Sequence, residues 1–126
     1  MKHTFLQVAL GGAIGSVARY LTGVGMMRAF GQQPFPLGVI PVNILGSFIM
    51  GGLIVFLGQK GLTHWNAFLA VGILGGFTTF SSFSLESWRL IDTGRYDLAA
   101  AYVLLSVAIS LLALIGGVHL MRAILA

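Results

Sequence analysis

The run Gly75-Gly76-Phe77-Thr78-Thr79-Phe80-Ser81-Ser82-Phe83-Ser84 carries the densest set of groups in this chain that could handle an ion. Paired glycines followed by paired threonines are weak helix formers, and hydroxyls can satisfy backbone groups that a break sets free. A helix interrupted at membrane depth exposes carbonyls and half-helix ends that can coordinate ions. The run therefore predicts a broken helix with an ion site at the break, against the alternative of a kinked packing helix. Phe80 and Phe83, three residues apart, share a face just beyond it. A ring edge is electropositive, so it can meet a small, hard anion without the grip of a fixed cation, as conduction requires. The plainer role for both rings is packing or lipid contact.

Four further groups invite the same question. Asn43 follows Pro41 and offers two donors and an acceptor, which must find partners or face a wet cavity; a helix–helix hydrogen bond is the plainer reading. Tyr102, Ser106 and Ser110 recur at i, i+4 and i+8, which sets three hydroxyls along one helix face. They line a narrow wet path, a helix contact, or bond their own backbone. Arg19 stands inside a long apolar stretch, where it either snorkels to an interface or draws anions into a vestibule. Glu86, with Arg89 at i+3, reads as a partly neutralised pair near a helix end.

The elements that must hold these groups follow from composition. Of 126 residues, 57% are hydrophobic and 8% charged, whereas a soluble domain carries roughly 25% charged residues. Too little charge is present to coat a water-facing surface, so the chain reads as an integral membrane protein. The net charge of +4 comes from seven thinly spread basic residues, which form no patch for nucleic acid. Cysteine is absent, excluding disulfides and thiol chemistry. No nucleophile–base or metal-ligand cluster appears, and His3, His64 and His119 stand alone near span ends, so an enzyme is not expected.

A bilayer core needs about 20 apolar residues per helix. On that scale the chain is a single all-α transmembrane domain, residues 1–126, with spans at about 5–27, 36–58, 65–91 and 98–126 and the third span broken near its middle. Polar joints at 28–34, 59–64 and 92–97 connect them. Four short helices cannot ring a conduit alone, so transport implies further subunits. Gly11/Gly15, Gly12/Ser16, Gly72/Gly76 and Ser47/Gly51 form small-xxx-small pairs for close helix contact, either within a subunit or between subunits. Orientation follows Lys and Arg in short loops. Lys2, Lys60 and Arg122 fall on one side and Arg28, Arg89 and Arg95 on the other, so neither orientation is favoured and an inverted pair of subunits is allowed.

With these motifs in place, the whole chain resembles the Fluc (CrcB-like) family of small bacterial fluoride channels. The likeness rests on residues 11–20 (GGAIGSVARY), residues 43–48 (NILGSF), and the 75–84 run followed by Glu86. It implies an antiparallel, dual-topology homodimer in the bilayer of the bacterial inner (plasma) membrane, passing fluoride passively through two pores. By that resemblance Phe80 and Phe83 are the pore aromatics and Asn43 the pore amide. Tyr102, Ser106 and Ser110, with Thr79 and Ser81 nearby, form the hydroxyl track, and Arg19 and Glu86 belong to the vestibule. The resemblance also implies a structural sodium ion on the dimer axis, held by backbone carbonyls of Gly75 and Thr78, and no organic cofactor. A small multidrug-type, proton-coupled exporter is the competing reading. It needs a membrane-embedded carboxylate, and the first span contains none.

Overall fold

The computed structural model describes residues 2–33 and 35–126. Pro34 of the first joint and the side chain of Lys2, used in the charge tally, lie outside what it describes. The described chain is helical throughout: α1 (Lys2–Phe30), α2 (Val39–Gln59), a 3-10 turn (Thr63–Trp65), a π-helical segment (Ala67–Leu74), α3 (Gly75–Phe77), α4 (Ser81–Asp92) and α5 (Tyr96–Leu125). The stretches Val39–Gln59, Thr63–Asp92 and Tyr96–Leu125 are long and apolar enough to cross a bilayer. α1 has 29 residues, as long as these, but Gln7 and Arg19 dilute its apolar run.

Glycine ends the helices where the chain must turn. Gly31 (φ 70°) returns its amide to the Met27 carbonyl at 2.8 Å, and Gly94 (φ 78°) lets the Arg95 amide reach the Leu90 carbonyl at 2.8 Å. Both are left-handed caps that satisfy last-turn carbonyls. The second turns α4 back at once into α5.

Packing divides the bundle into two pairs. α1 lies against the first half of the third span, and α2 lies against α5, while α4 also packs on α5. The first contact is made by glycines: a Cβ on Gly11 or Gly15 would run into the carbonyl oxygens of Phe68 or Ile73, and one on Gly76 would sit 2.7 Å from the Gly12 oxygen. Gly51 meets the Leu114 carbonyl and Gly117 meets that of Phe48 in the second pair. The small-xxx-small pairs thus join helices within one subunit. Close backbone approach replaces the hydrophobic drive that lipid removes.

The broken third span is present within the 75–84 run, just before Phe80. Gly75 and Gly76 stay helical, and the first extended residue is Thr78 (φ −81°, ψ 158°). Gly76 is spent on contact with α1, while the Thr78 methyl fills the space that Gly46 leaves open on α2. The π-helical widening of residues 67–74 had no signal in the periodicity. A small core of Phe83, Leu90, Ala99 and Tyr102 closes the α4–α5 end. Most other large apolar side chains face outward, including Leu10, Ile14, Val17 and Leu21 along α1. That surface suits lipid or another subunit.

Candidate functional site

Two side chains hold the break open. The Thr79 amide donates to Asn43 Oδ1 at 2.8 Å, and Asn43 Nδ2 donates back to the Thr79 carbonyl at 3.0 Å. One amide side chain on α2 therefore satisfies both backbone groups of a residue 36 positions away. Three residues on, the Ser82 amide donates to Thr79 Oγ1 at 3.1 Å, which caps the start of α4 as an N-terminal hydroxyl does. Thr79 Oγ1 also lies 3.3 Å from Ser81 Oγ, on the exposed side. The helix–helix hydrogen bond read as the plainer role for Asn43 is what the structure contains.

The aromatic pair is asymmetric. Phe80 and Phe83 have ring centroids 5.4 Å apart at 49°. Phe83 is 8% exposed, but Phe80 is 76% exposed. Phe83 in turn stacks on Tyr102 at 5.3 Å, and Phe35 meets the Tyr102 ring edge-on at 5.7 Å. Tyr102 is fully buried, and neither its hydroxyl nor Ser106 Oγ has a hydrogen-bond partner among the described residues. A buried hydroxyl without a partner costs free energy, and these two groups carry that cost among the described residues.

A cavity of about 290 Å³ brings most of the predicted residues together: Asn43, Thr78, Thr79, Phe80, Phe83, Ser106 and Ser110 line it, with Ser47 and Met50. Tyr102 adjoins it through Phe83, while Ser81 stands exposed at the rim. Arg19 opens on a separate cleft of about 590 Å³ between α1 and α2, whose walls include Tyr20, Val24, Met27, Val39 and Val42. Thr79 lines both cavities, so it is the wall residue they share. Glu86 belongs to neither: it pairs with Arg89 at 2.7 Å and borders a third cleft.

Two contributors escaped the sequence reading. Arg28, assigned to a joint, lines the same cleft as Arg19 nine residues earlier on α1; that spacing sets the two half a turn apart on an ideal helix, so periodicity gave no signal. Gly46 makes room for Thr78, which only the packing reveals. Among the described residues no cluster of His, Asp or Glu could hold a metal ion. Any bound cation would depend on backbone oxygen, and there the break has a specific consequence. An unbroken helix would return the Thr79 amide to the Gly75 carbonyl and the Ser82 amide to the Thr78 carbonyl. Both hydrogens go instead to side-chain oxygens, so the Gly75 and Thr78 carbonyls lose their helical donors.

Such a chain defines a class: a small, all-helical membrane protein folded around a broken helix, with a polar seam on one side of the break. It matches the family described as CrcB-like protein, Camphor Resistance (CrcB), over residues 6–118, and it belongs to that family. It is 53% identical over 125 residues, covering 99% of both chains, to a Ruegeria sp. (strain TM1040) protein named Fluoride-specific ion channel FluC. Proteins with the same name are 54% identical over 122 residues in Cereibacter sphaeroides, covering 97% of both chains, and 49% identical over 126 residues in Paracoccus denitrificans, covering all of both.

Proposed function

We propose that this chain is the subunit of a passive, fluoride-selective channel of the bacterial inner membrane. It crosses the bilayer four times and works as an inverted homodimer with two pores. The observation that carries this reading is the polar seam itself, where Asn43, Thr79, Ser106 and Ser110 share one cavity with Phe80 and Phe83, in a chain about half identical to channels named for fluoride. The chain is not an enzyme, since its family is one of ion channels.

Fluoride is small and strongly hydrated, so a pore must offer donors as water leaves. Hydroxyls donate, and ring edges serve where donors are few. Arg19 and Arg28 on the neighbouring cleft raise the local anion concentration. Thr79 hands the ion from that cleft to the seam, and Phe80, Phe83, Ser106 and Ser110 carry it on. Asn43 keeps one Nδ2 hydrogen for the ion while the other holds Thr79. Tyr102 closes the far wall and Ser81 the rim. Glu86, neutralised by Arg89, stays beside the path without repelling the anion. The exposed Phe80 ring and the apolar outer face of α1 support assembly with a second copy.

A structural sodium ion fits the residues at the break. The Gly75 and Thr78 carbonyls point to no helical donor, and carbonyl oxygens suit a hard cation. Four such oxygens from two inverted copies would supply a charge-neutral cage.

The test is flux. Liposomes loaded with potassium fluoride and reconstituted with the protein should release fluoride when valinomycin lets potassium leave, with no proton gradient imposed. Equal chloride release, or none of fluoride, overturns the channel reading, and dependence on a proton gradient would restore the exporter.

A further inference from the structure

We propose that Asn43 is a positioning residue that keeps the third span from closing into a continuous helix, by taking the Thr79 amide away from the Gly75 carbonyl. The proposal rests on the channel reading for its functional consequence but not for its structural core.

The competition is between two acceptors for one hydrogen. Thr79 N–H has a default partner, the Gly75 carbonyl four residues back, which any α-helix would use. Asn43 Oδ1 accepts it instead at 2.8 Å, and Asn43 Nδ2 occupies the Thr79 carbonyl at 3.0 Å. The two bonds act together: they hold both peptides that flank Thr79 toward α2, and in that orientation the Thr79 N–H is bonded to Asn43 rather than to Gly75. Thr78 is consequently extended, at ψ 158°, and its methyl seats over Gly46 on the same helix that presents Asn43.

Three outcomes depend on that single diversion. The Gly75 carbonyl is left for another ligand. The Thr79 hydroxyl is placed to cap Ser82 and start α4. Phe80, immediately after the tied peptide, is turned outward at 76% exposure while Phe83 is turned in. Asn43 thus acts on the anion path through the backbone of the third span as well as through its own free N–H. An Asn serves here because it is the shortest side chain that offers a donor and an acceptor to the two backbone groups of one residue. Aspartate retains only the acceptor.

Thr78-Thr79 is the sole Thr–Thr pair in the chain, so protein grown on threonine labelled with ¹³C at the carbonyl and ¹⁵N gives one carbonyl–amide correlation from that peptide. In wild-type protein the Thr78 carbonyl should resonate at an extended-residue position. Asn43→Leu, close in size and unable to accept, should move it to the helical position, and Asn43→Asp should restore the extended value. A Thr78 carbonyl that stays extended in Asn43→Leu overturns the proposal, as does a helical one in the wild type.

A second arm keeps every side chain in place. Replacing the Thr79 amide by an ester, through incorporation of the matching hydroxy acid, deletes only the N–H. Fluoride flux should fall at least about tenfold, the scale of one lost hydrogen bond at a strained site, and Asn43→Leu should cost less in the ester background than in the wild type, because only its own anion contact is left to lose. Wild-type flux from the ester, or losses that multiply, would show that Asn43 works only as an anion ligand. The spectroscopic arm needs no fluoride, so it stands if the channel reading fails.

Discussion

The two halves of the third span meet their neighbours in opposite ways. Residues 63–77 touch α1 backbone to backbone, with Gly11, Gly15 and Gly76 letting carbonyls lie where side chains would be. α4 instead touches α5 through rings, Phe83 stacked on Tyr102, and is flanked by cavities that the first half lacks. In lipid, where apolar burial adds little, tight backbone contact is the stronger glue. The first half is therefore an anchor. The seam that α4 shares with α5 carries the Tyr102 and Ser106 hydroxyls of α5 without partners among the described residues, which a purely structural contact would avoid. A rigid anchor on one side of the break allows a costly, under-satisfied seam on the other.

The largest effect should come from breaking the anchor. Gly15→Leu places a side chain into the Ile73 carbonyl, backbone that cannot yield. The cost exceeds about 3 kcal/mol, and the protein should fail to give a single folded peak on size-exclusion chromatography in detergent. A folded Gly15→Leu protein would show that the two halves are equally forgiving.

Within the second half, the two phenylalanines sharpen the contrast. Phe83→Ala empties a buried position and should cost about 3–5 kcal/mol. Phe80→Ala, at an exposed ring, should change stability of the subunit by no more than about 0.5 kcal/mol. Both should lower fluoride flux at least tenfold, about 1.4 kcal/mol of barrier. Thermal melting alongside the liposome assay separates packing from passage.

The last effect has the opposite sign. Ser106 is 6% exposed and its hydroxyl has no partner. Ser106→Ala should raise stability by about 1 kcal/mol, because a buried unsatisfied group is removed, while fluoride flux falls. A variant that is both less stable and fully conducting would assign the hydroxyl to packing.

Much of this was legible in the residues. The 75–84 run announced a break, since two glycines and two threonines are weak helix formers, and of the i, i+4, i+8 hydroxyls of α5 Ser106 and Ser110 line the cavity while Tyr102 adjoins it through Phe83. The exact residue of the break, Thr78, was not legible, because propensity marks a stretch and cannot see α1 lying against Gly76 or α2 against Thr78. Asn43 was recognised as a polar group needing a partner, but its partner was a peptide 36 residues on. Arg28 looked like a loop residue until the helix continued through it to Phe30.

Composition and spacing alone determined that the chain lies in a membrane, that its helices are few and long, and which residue types could meet an anion. Those properties follow from local counts of charge, apolar length and periodicity, which a linear sequence contains in full. Tertiary structure decided which acceptor takes the Thr79 hydrogen, which glycines are contacts rather than breaks, and that Thr79 is the wall residue the Arg19 cleft shares with the hydroxyl seam. Each of these is a competition between a near neighbour in the chain and a distant one. Only the folded arrangement brings the distant competitor within reach.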